Sequence, residues 1–280
     1  MLFVEQLFGD DVQTGRLSIE LYHRCLAILR EGLTSTEFWP SCHAAEGLTI
    51  AGHSSEVRVH FAPKVSNEID DRCRCGLARE LVRAGDREPL RVLVDVLKKS
   101  TVRNQITAAE SLFKVGEIGD EQIVRDSLIA TDNQVLQLMT LAILAQQGDQ
   151  QSLDRIRNKL SHESAVTRKI AAWLLMRLGQ ESDIGRLHQV KESERELLVR
   201  AYVDHALAVL GDEGGIQFLR DNFSSDSLEI RQMAAEAAHL VNPSVAIPQL
   251  EAALEDQELD IRIRATSALL CRDSRLRTPE

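Results

Sequence analysis

The chain has 280 residues, a formal net charge of −10 and an apolar content of 44%, while only 4% of its residues are aromatic. This composition supports a large core of small and aliphatic side chains. No stretch approaches the roughly 18 consecutive apolar residues of a membrane-spanning helix, and the first residues lack the basic flank of a secretory signal. We therefore expect a cytoplasmic protein that does not interact with membranes.

The first predicted element is an amphipathic helix within residues 17–32. Its apolar residues recur at helical spacing and define one face, which consists of Leu17, Leu21, Cys25, Ile28 and Leu29. We assign residues 1–34 to an N-terminal capping helix, because the end of a repeat array differs in sequence from its middle.

Residues 35–270 contain about seven copies of one sequence pattern. Six copies end on a glycine, with spacings of 33, 31, 32, 31 and 32 residues between Gly52, Gly85, Gly116, Gly148, Gly179 and Gly211. A seventh copy in residues 233–241 lacks the glycine. A period of this length is typical of repeat proteins, in which each unit buries its apolar face against its neighbours.

Each copy is predicted to form two antiparallel helices. The glycine occupies the position of a C-terminal cap, where a residue with positive φ ends the first helix. An aspartate often follows the glycine and favours a turn, as in Gly148-Asp149. Paired alanines in the first helix, such as Ala108 and Ala109, allow neighbouring units to pack closely.

The two ends of the array depart from this pattern. Pro63 falls inside the second helix of the first unit, and we expect that helix to kink or end near Ala62. Residues 262–270 supply a first helix with too little chain after it for a second, and the sequence leaves open whether another chain completes this unit. Residues 271–280 are interpreted as a basic C-terminal tail.

The repeat pattern resembles a known family. A Val-Arg or Ile-Arg pair precedes an alanine-containing helix at Val102-Arg103, Val199-Arg200, Ile230-Arg231 and Ile261-Arg262. Together with the paired alanines and the Gly-Asp turns, these pairs resemble the short HEAT-like repeat of the phycobilisome-lyase type. The resemblance implies an all-α fold, a right-handed α-solenoid of antiparallel helix pairs. The resemblance is specific for the fold and unspecific for the function, because one fold supports many activities.

The charge is unevenly distributed along the chain. Residues 201–261 contain two basic and twelve acidic residues, whereas residues 262–280 contain five arginines and two acidic residues. A concentration of one charge sign attracts oppositely charged partners, so we expect a partner protein with a basic surface and no nucleic acid. The alternative is a solvated acidic face that only keeps the protein soluble. The candidate acidic contacts are Asp212, Glu213, Glu255 and Asp256, and the tail residues that can neutralise part of this charge are Arg272, Arg275 and Arg277.

Three further candidates for protein binding occupy equivalent positions of consecutive first helices. Stacking of the units would place Glu46, Arg79 and Glu110 in one row at about 10 Å per step. The row is either a polar binding stripe or an inter-repeat ion-pair ladder, which stabilises a stack by about 0.5 kcal/mol per exposed pair. We favour the ladder.

A metal site in the first repeat is a weaker hypothesis. His43 and Glu46 lie three residues apart on one helix and His53 follows nearby, and two imidazoles with a carboxylate can bind a transition metal. The HEAT-repeat hydroxylases bind two irons through adjacent His-Glu pairs, and the matching positions here lack such pairs, since they read Cys42-His43, Ile106-Thr107 and Gln232-Met233. We therefore favour ordinary surface and loop histidines.

Trp173 and the five cysteines are interpreted as structural residues. The HEAT-fold DNA glycosylases use aromatic and acidic residues on a basic surface, but we expect no basic surroundings for Trp173 and assign it a packing role. The cysteines are expected to be free thiols, because stacked helices lie about 8–10 Å apart and a disulfide requires Cα atoms within about 7 Å.

The sequence thus favours a non-catalytic HEAT-like repeat scaffold that mediates protein–protein interaction and needs no cofactor. The alternative is a protein that handles a small ligand or prosthetic group, as the resemblance to bilin lyases implies, and a metalloenzyme is less favoured. The sequence contains neither a glycine-rich phosphate loop nor a Gly-x-Ser-x-Gly nucleophile motif.

Overall fold

The computed structural model describes residues 17–241, 245–271 and 273, and within them it contains helices and their connections but no strand. The all-α fold class is therefore confirmed. Among these residues, none of the helices has the length and apolarity that crossing a membrane would require. The helices are α1 (Ile19–Leu33), α2 (Phe38–Ile50), α3 (Ser54–Val65), α4 (Asp71–Arg83), α5 (Leu90–Lys99), α6 (Val102–Val115), α7 (Glu121–Ala130), α8 (Gln134–Gln146), α9 (Gln150–Asn158), α10 (Ala165–Leu178), α11 (Ile184–Ser193), α12 (Leu197–Val209), α13 (Glu213–Asn222), α14 (Leu228–Ala238), α15 (Ile247–Ala253) and α16 (Leu259–Leu270).

The chain divides into two compact units. The first unit, residues 1–52 and 207–280, contains α1, α2 and α13 to α16, and the second unit, residues 53–206, contains α3 to α11 and most of α12. In the second unit the first helices α4, α6, α8 and α10 pack on one another in sequence, and second helices such as α5 and α9 pack beside them. The expected division into a capping helix, a repeat array and a tail stays a prediction.

The repeat glycines end the first helices, as predicted. Five of the six have positive φ, namely Gly52 (84°), Gly85 (92°), Gly116 (73°), Gly148 (96°) and Gly211 (90°). Gly179 is the exception, with φ of −66°, because the chain leaves α10 in an extended conformation. Asp149 follows Gly148 and accepts a hydrogen bond from the Ser152 N–H over 3.2 Å. One Gly-Asp pair therefore ends a helix and begins the next.

The arginine of the Ile-Arg pair fixes the loop before its helix. The Nη1 group of Arg231 donates to the carbonyls of Ser225 and Asp226, and that of Arg262 makes the equivalent two bonds to the carbonyls five and six residues before it. Backbone carbonyls in a loop have no helical partner, and the guanidinium satisfies two of them at once. This role accounts for the two Ile-Arg pairs, at Arg231 and Arg262.

In the first unit, the N-terminal helices complete the C-terminal repeat. The last helix, α16, packs against α14 and α15 and also against α1 and α2, while α1 and α2 pack on each other. The contact is close, because a Cβ atom added to Gly32 of α1 would lie 2.5 Å from Ile263 Cδ1 and 2.8 Å from Ala44 Cβ. The repeat that lacks its second helix in sequence is therefore covered by α1 and α2 of the same chain.

One of the two outcomes expected for the first repeat is wrong. Helix α3 runs from Ser54 to Val65 and continues through Pro63, so it does not end near Ala62, and a kink there stays a prediction. The N–H that proline lacks would have bonded to the carbonyl of Val59, whose side chain is 78% exposed. Water can reach that part of the helix and hydrogen-bond the carbonyl, so the helix tolerates the proline.

A substitution at a repeat glycine tests the capping role. Gly116→Ala is expected to lower the free energy of unfolding by about 1 kcal/mol, because Ala is strained at a φ of 73° although nothing lies within 4 Å of the added Cβ. The matched control is Gly185→Ala within α11, which also meets nothing within 4 Å and is expected to raise that free energy by up to about 1 kcal/mol. Urea unfolding of both variants measures the difference, and changes of the same sign would contradict the assignment.

Candidate functional site

A buried charge cluster joins α2, α14 and α16 of the first unit. His43 Nδ1 lies 2.5 Å from Asp260 Oδ1, and the second carboxylate oxygen accepts from Arg264 Nε over 2.9 Å and from Gln232 Nε2 over 3.0 Å. Arg264 Nη1 also donates to Glu236 Oε2 over 2.7 Å. One carboxylate thus connects three helices of the unit.

The two central groups of this cluster stay charged at neutral pH. Burial alone would raise the pKa of Asp260, but the hydrogen bond from His43 and the charge of Arg264 hold that pKa well below its ordinary value. Burial alone would lower the pKa of Arg264, and the carboxylates of Asp260 and Glu236 raise it instead. The cluster is therefore a structural connection between helices.

The candidate metal ligands have other contacts. His43 is directed to Asp260, whereas His53 lies at the start of α3 and its Nδ1 is 3.0 Å from Glu56 Oε1. Glu46 is half-buried on α2. In the part of the chain that the structure describes, no group of three or more His, Cys, Asp or Glu side chains is arranged to hold a metal ion.

The other two residues of the expected row, Arg79 and Glu110, lie in the second unit. Arg79 is buried on α4 and its Nε donates to Glu80 Oε1 over 2.6 Å, while Glu110 on α6 lies 2.8 Å from Lys114 Nζ. Arg83 also pairs with Glu80, and it donates to the carbonyl of Lys114 over 3.4 Å. Of these contacts, the one from Arg83 to Lys114 joins α4 to α6 and the others lie within one helix. A role of the row in partner binding stays a prediction.

The surroundings of Trp173 differ from the expectation. Lys114 Nζ lies 5.6 Å and Arg177 Cζ 5.0 Å from the indole ring centroid, so the ring has two cations beside it. Phe113 packs edge-on at 5.8 Å. Trp173 is 8% exposed, and its packing role is confirmed.

Two of the acidic candidates begin a helix. Asp212 is the N-cap of α13 and accepts from the Gly215 N–H over 2.7 Å. Glu213 is exposed in the first turn of that helix. A carboxylate at the N-cap stabilises the helix that it begins, so reversing the charge of Asp212 would weaken α13 as well as any contact with a partner.

The other two acidic candidates pair with arginines. Glu255 contacts Arg24 of α1, and Asp256 Oδ2 lies 3.3 Å from Arg231 Nε. Arg24 lies outside residues 201–261, so the charge summed over that segment overestimates the charge of this surface. The tail arginines Arg272, Arg275 and Arg277 lie outside the described residues.

The cysteines within the described residues are free, as expected. Burial raises the pKa of the Cys25 thiol to about 11 and that of the Cys75 thiol to about 12. Both thiols are therefore protonated at neutral pH and act as small apolar side chains.

A groove of about 690 Å³ lies between the second helices α13 and α15 of the first unit. It is open to solvent, and its volume is within the range of about 300–1,000 Å³ typical of ligand sites. Its residues recur at helical spacing on both helices, since α13 and the turn after it supply Gln217, Arg220, Asp221 and Ser224, and the region of α15 supplies Val245 and Pro248.

Arg220 is held across this groove. Its Nε donates to the carbonyl of Val245 over 2.8 Å and so joins α13 to the segment before α15. Gln217 Nε2 donates to Asp221 Oδ1 over 3.0 Å and orients that carboxylate in the groove lining. The groove thus presents a cation and an anion on adjacent residues.

The groove also contains an unsatisfied acceptor and has apolar residues beside it. The Oε1 atom of Gln249 is buried and accepts no hydrogen bond within the described residues. Phe218 and Ile247, which adjoin the lining residues in sequence, are 41% and 38% exposed. Exposed apolar side chains beside a polar groove are a feature of binding surfaces.

Sequence reasoning missed the groove, although one signal was available. Arg220 is one of only two basic residues in residues 201–261, and it shares a helical stripe with Gln217 and Ser224. Residues 201–261 were interpreted by their net acidic charge, so only their carboxylates were considered as binding candidates.

Two solved structures are similar to this chain at low sequence identity. The structure of human deoxyhypusine hydroxylase in complex with glycerol is 19% identical, with a TM-score of 0.44 over 91% of this chain and 98% of that chain. The structure of an engineered protein is 17% identical, with a TM-score of 0.35 over 89% and 96% of the respective chains. No protein-family model matches the chain, and no curated protein matches it. The architecture of the described residues is all-α, with helices packed in successive pairs.

The first of these structures corrects one expectation. Deoxyhypusine hydroxylase is by its name an enzyme, so the expectation of a non-catalytic protein, which rested on the repeat fold, is wrong. Helical-repeat architecture accommodates enzymes as well as binding proteins, and it does not separate the two.

The buried charge cluster predicts a specific dependence of stability on pH. Asp260 has a folded-state pKa below its unfolded value, so its stabilising contribution is present above the unfolded pKa of about 4 and is lost as the pH falls towards the folded value. Asp260→Asn is expected to lower the free energy of unfolding at pH 7 by about 3 kcal/mol and to flatten its decrease between pH 5 and pH 3. Urea unfolding at each pH measures this, with Glu258→Gln, an exposed residue two positions away, as the control. An unchanged pH profile in Asp260→Asn would show that the carboxylate is not stabilised by its partners.

Proposed function

We propose that this HEAT-like repeat protein binds another protein through the groove between α13 and α15. The observation that supports the proposal is the groove itself, which is open, lined by polar side chains and continued by exposed apolar residues. An enclosed cavity would suit a small molecule, whereas an open groove leaves its ligand partly in solvent and suits a chain that extends beyond it.

The chemistry of the lining supports the same function. Arg220, Gln217 and Ser224 supply hydrogen-bond donors, and Asp221 and Gln249 supply acceptors, so a peptide backbone with its alternating N–H and C=O groups can be satisfied along the groove. Phe218 and Ile247 add apolar contact area at its edge. A polar lining with a few apolar contacts is typical of reversible protein interfaces.

The proposal includes two more specific assignments, the type of repeat and the location in the cell. The binding function depends on neither. The period of 31 to 33 residues and the paired alanines support the phycobilisome-lyase type of repeat, and a cytoplasmic location follows from the expectations of the sequence. Neither determines the partner, because the binding site lies in side chains that differ from repeat to repeat.

Site-specific photo-crosslinking in the native cell tests the function. A photoreactive phenylalanine analogue at Gln217, on the wall of the groove, is expected to form covalent adducts with a small set of proteins, which mass spectrometry identifies. The control places the same analogue at Gln151, an exposed glutamine on second helix α9. Adducts in equal yield and of the same identity at both positions, or none at Gln217, would contradict a docking site at the groove.

A further inference from the structure

An arginine recurs at one position of the second helices. Arg125, Arg157 and Arg220 each follow their repeat glycine by nine residues, so they occupy equivalent sites on α7, α9 and α13. The residue that directly precedes the next second helix lies opposite Arg125 and Arg157, and Arg220 contacts Val245, the neighbour of the corresponding residue Ala246. The three arginines can therefore be compared as copies of one structural position.

In the second unit, an aspartate meets this arginine. Arg157 binds Asp183, the residue before α11, through two hydrogen bonds of 2.7 Å from Nε and 2.9 Å from Nη2. Arg125 Nη1 lies 3.9 Å from Asp149 Oδ2, the residue before α9. Burial alone would raise the pKa of Asp183, but the hydrogen bonds from Arg157 and the Gln180 N–H hold it below its ordinary value. In the second unit, the arginine at this repeat position therefore binds a carboxylate side chain.

In the first unit, the aspartate is replaced by an alanine. Ala246 directly precedes α15 and is fully buried, so it offers no acceptor side chain. Arg220 keeps its position by donating Nε to the Val245 carbonyl, and within residues 17–241, 245–271 and 273 its Nη groups have no carboxylate partner. An arginine whose equivalent binds an aspartate therefore faces an open groove without one.

We propose that the groove binds the C-terminal carboxylate of a peptide with basic residues upstream, with Arg220 as the anchor. This inference rests on the proposed function and specifies the partner. The terminal carboxylate of the peptide takes the place relative to Arg220 that the Asp183 carboxylate has relative to Arg157. It accepts hydrogen bonds from the two Nη groups of Arg220, because Nε already donates to the Val245 carbonyl. The terminal residue also carries a backbone N–H, the donor that Gln249 Oε1 lacks within the described residues.

The acidic side chains around the groove favour a partner that brings one carboxylate, at its C-terminus, and carries basic residues before it. Asp221 lines the groove and is exposed, and Glu251 is exposed on α15, so a segment rich in acidic side chains, or a nucleic acid, would be repelled. A chain terminus brings a single carboxylate to Arg220, and lysines or arginines that precede it can pair with Asp221 and with Glu251, which is exposed on α15. The partner is therefore basic overall and ends in the groove.

Competition between two peptide pools tests this inference. Both pools contain the same hexapeptides with randomised final positions. One pool ends in a free carboxylate, and the other is isotopically labelled and ends in a carboxamide. The immobilised protein is incubated with the mixture, and mass spectrometry gives the ratio of the two forms among retained peptides. We expect at least tenfold enrichment of the carboxylate form, with lysine and arginine over-represented upstream, because the carboxylate alone makes the charge-assisted pair with Arg220.

Two variants assign the selectivity to Arg220. Arg220→Gln removes the guanidinium, and Ala246→Asp restores the internal carboxylate that the other repeats have, so both are expected to reduce the ratio to about one. Ala246→Asp keeps the bond between Arg220 and Val245, which makes it informative even where Arg220→Gln loosens the segment before α15. Arg155→Gln, at an exposed position of α9, is the matched control and is expected to leave the ratio unchanged.

The outcomes separate this inference from the function on which it rests. A ratio near one for the parent protein, retention of neither pool, or a ratio that survives both Arg220→Gln and Ala246→Asp in folded protein would overturn the terminal-carboxylate inference. Selective photo-crosslinks from Gln217 would still support protein binding in each of these cases. Loss of those crosslinks together with a tenfold ratio would instead place the protein partner elsewhere and leave a carboxylate site in the groove.

Discussion

The apolar face of each helix pair must be covered by a neighbour, and the first unit depends on how this requirement is met at its last helix. Helix α16 buries Ile261, Ile263 and Leu269 almost completely, and the chain that follows it in the described residues is too short to cover them. Helices α1 and α2 do so instead. Glycines at these contacts allow the helices to pack closely, since any side chain at Gly32 would overlap Ile263 and force the helices apart.

This contact also determines the electrostatics of the unit. Packing of α2 on α16 brings His43 to Asp260, and the approach of α1 brings Arg24 to Glu255. Carboxylates that look like an excess of negative charge along the chain are thus neutralised by residues far away in sequence. A buried carboxylate with several donors is stable as an ion, whereas the same group without them would be strongly destabilising.

The groove between α13 and α15 follows from the same repeat geometry. In the second unit an arginine on one second helix is neutralised by an aspartate before the next, as in Arg157 and Asp183. In the first unit the aspartate position is Ala246, and the arginine that remains is directed towards a surface open to solvent. The pairs Arg125–Asp149 and Arg157–Asp183 show the geometry that a ligand carboxylate would adopt at Arg220, where the repeat itself supplies no aspartate.

The sequence by itself determined the helices, their capping glycines and the all-α repeat class, because each depends on residues within a few positions of one another. The face of α1 was correct at Cys25, Ile28 and Leu29, which are buried. Only the tertiary structure decided which charges are available to a partner, since His43 and Asp260 are 217 positions apart and no local pattern relates them. The groove was also a tertiary result, because Arg157 binds the carboxylate of Asp183, whereas the equivalent Arg220 donates to the backbone carbonyl of Val245. Both partners lie about 25 residues further along the chain, so no local pattern shows which contact each arginine makes.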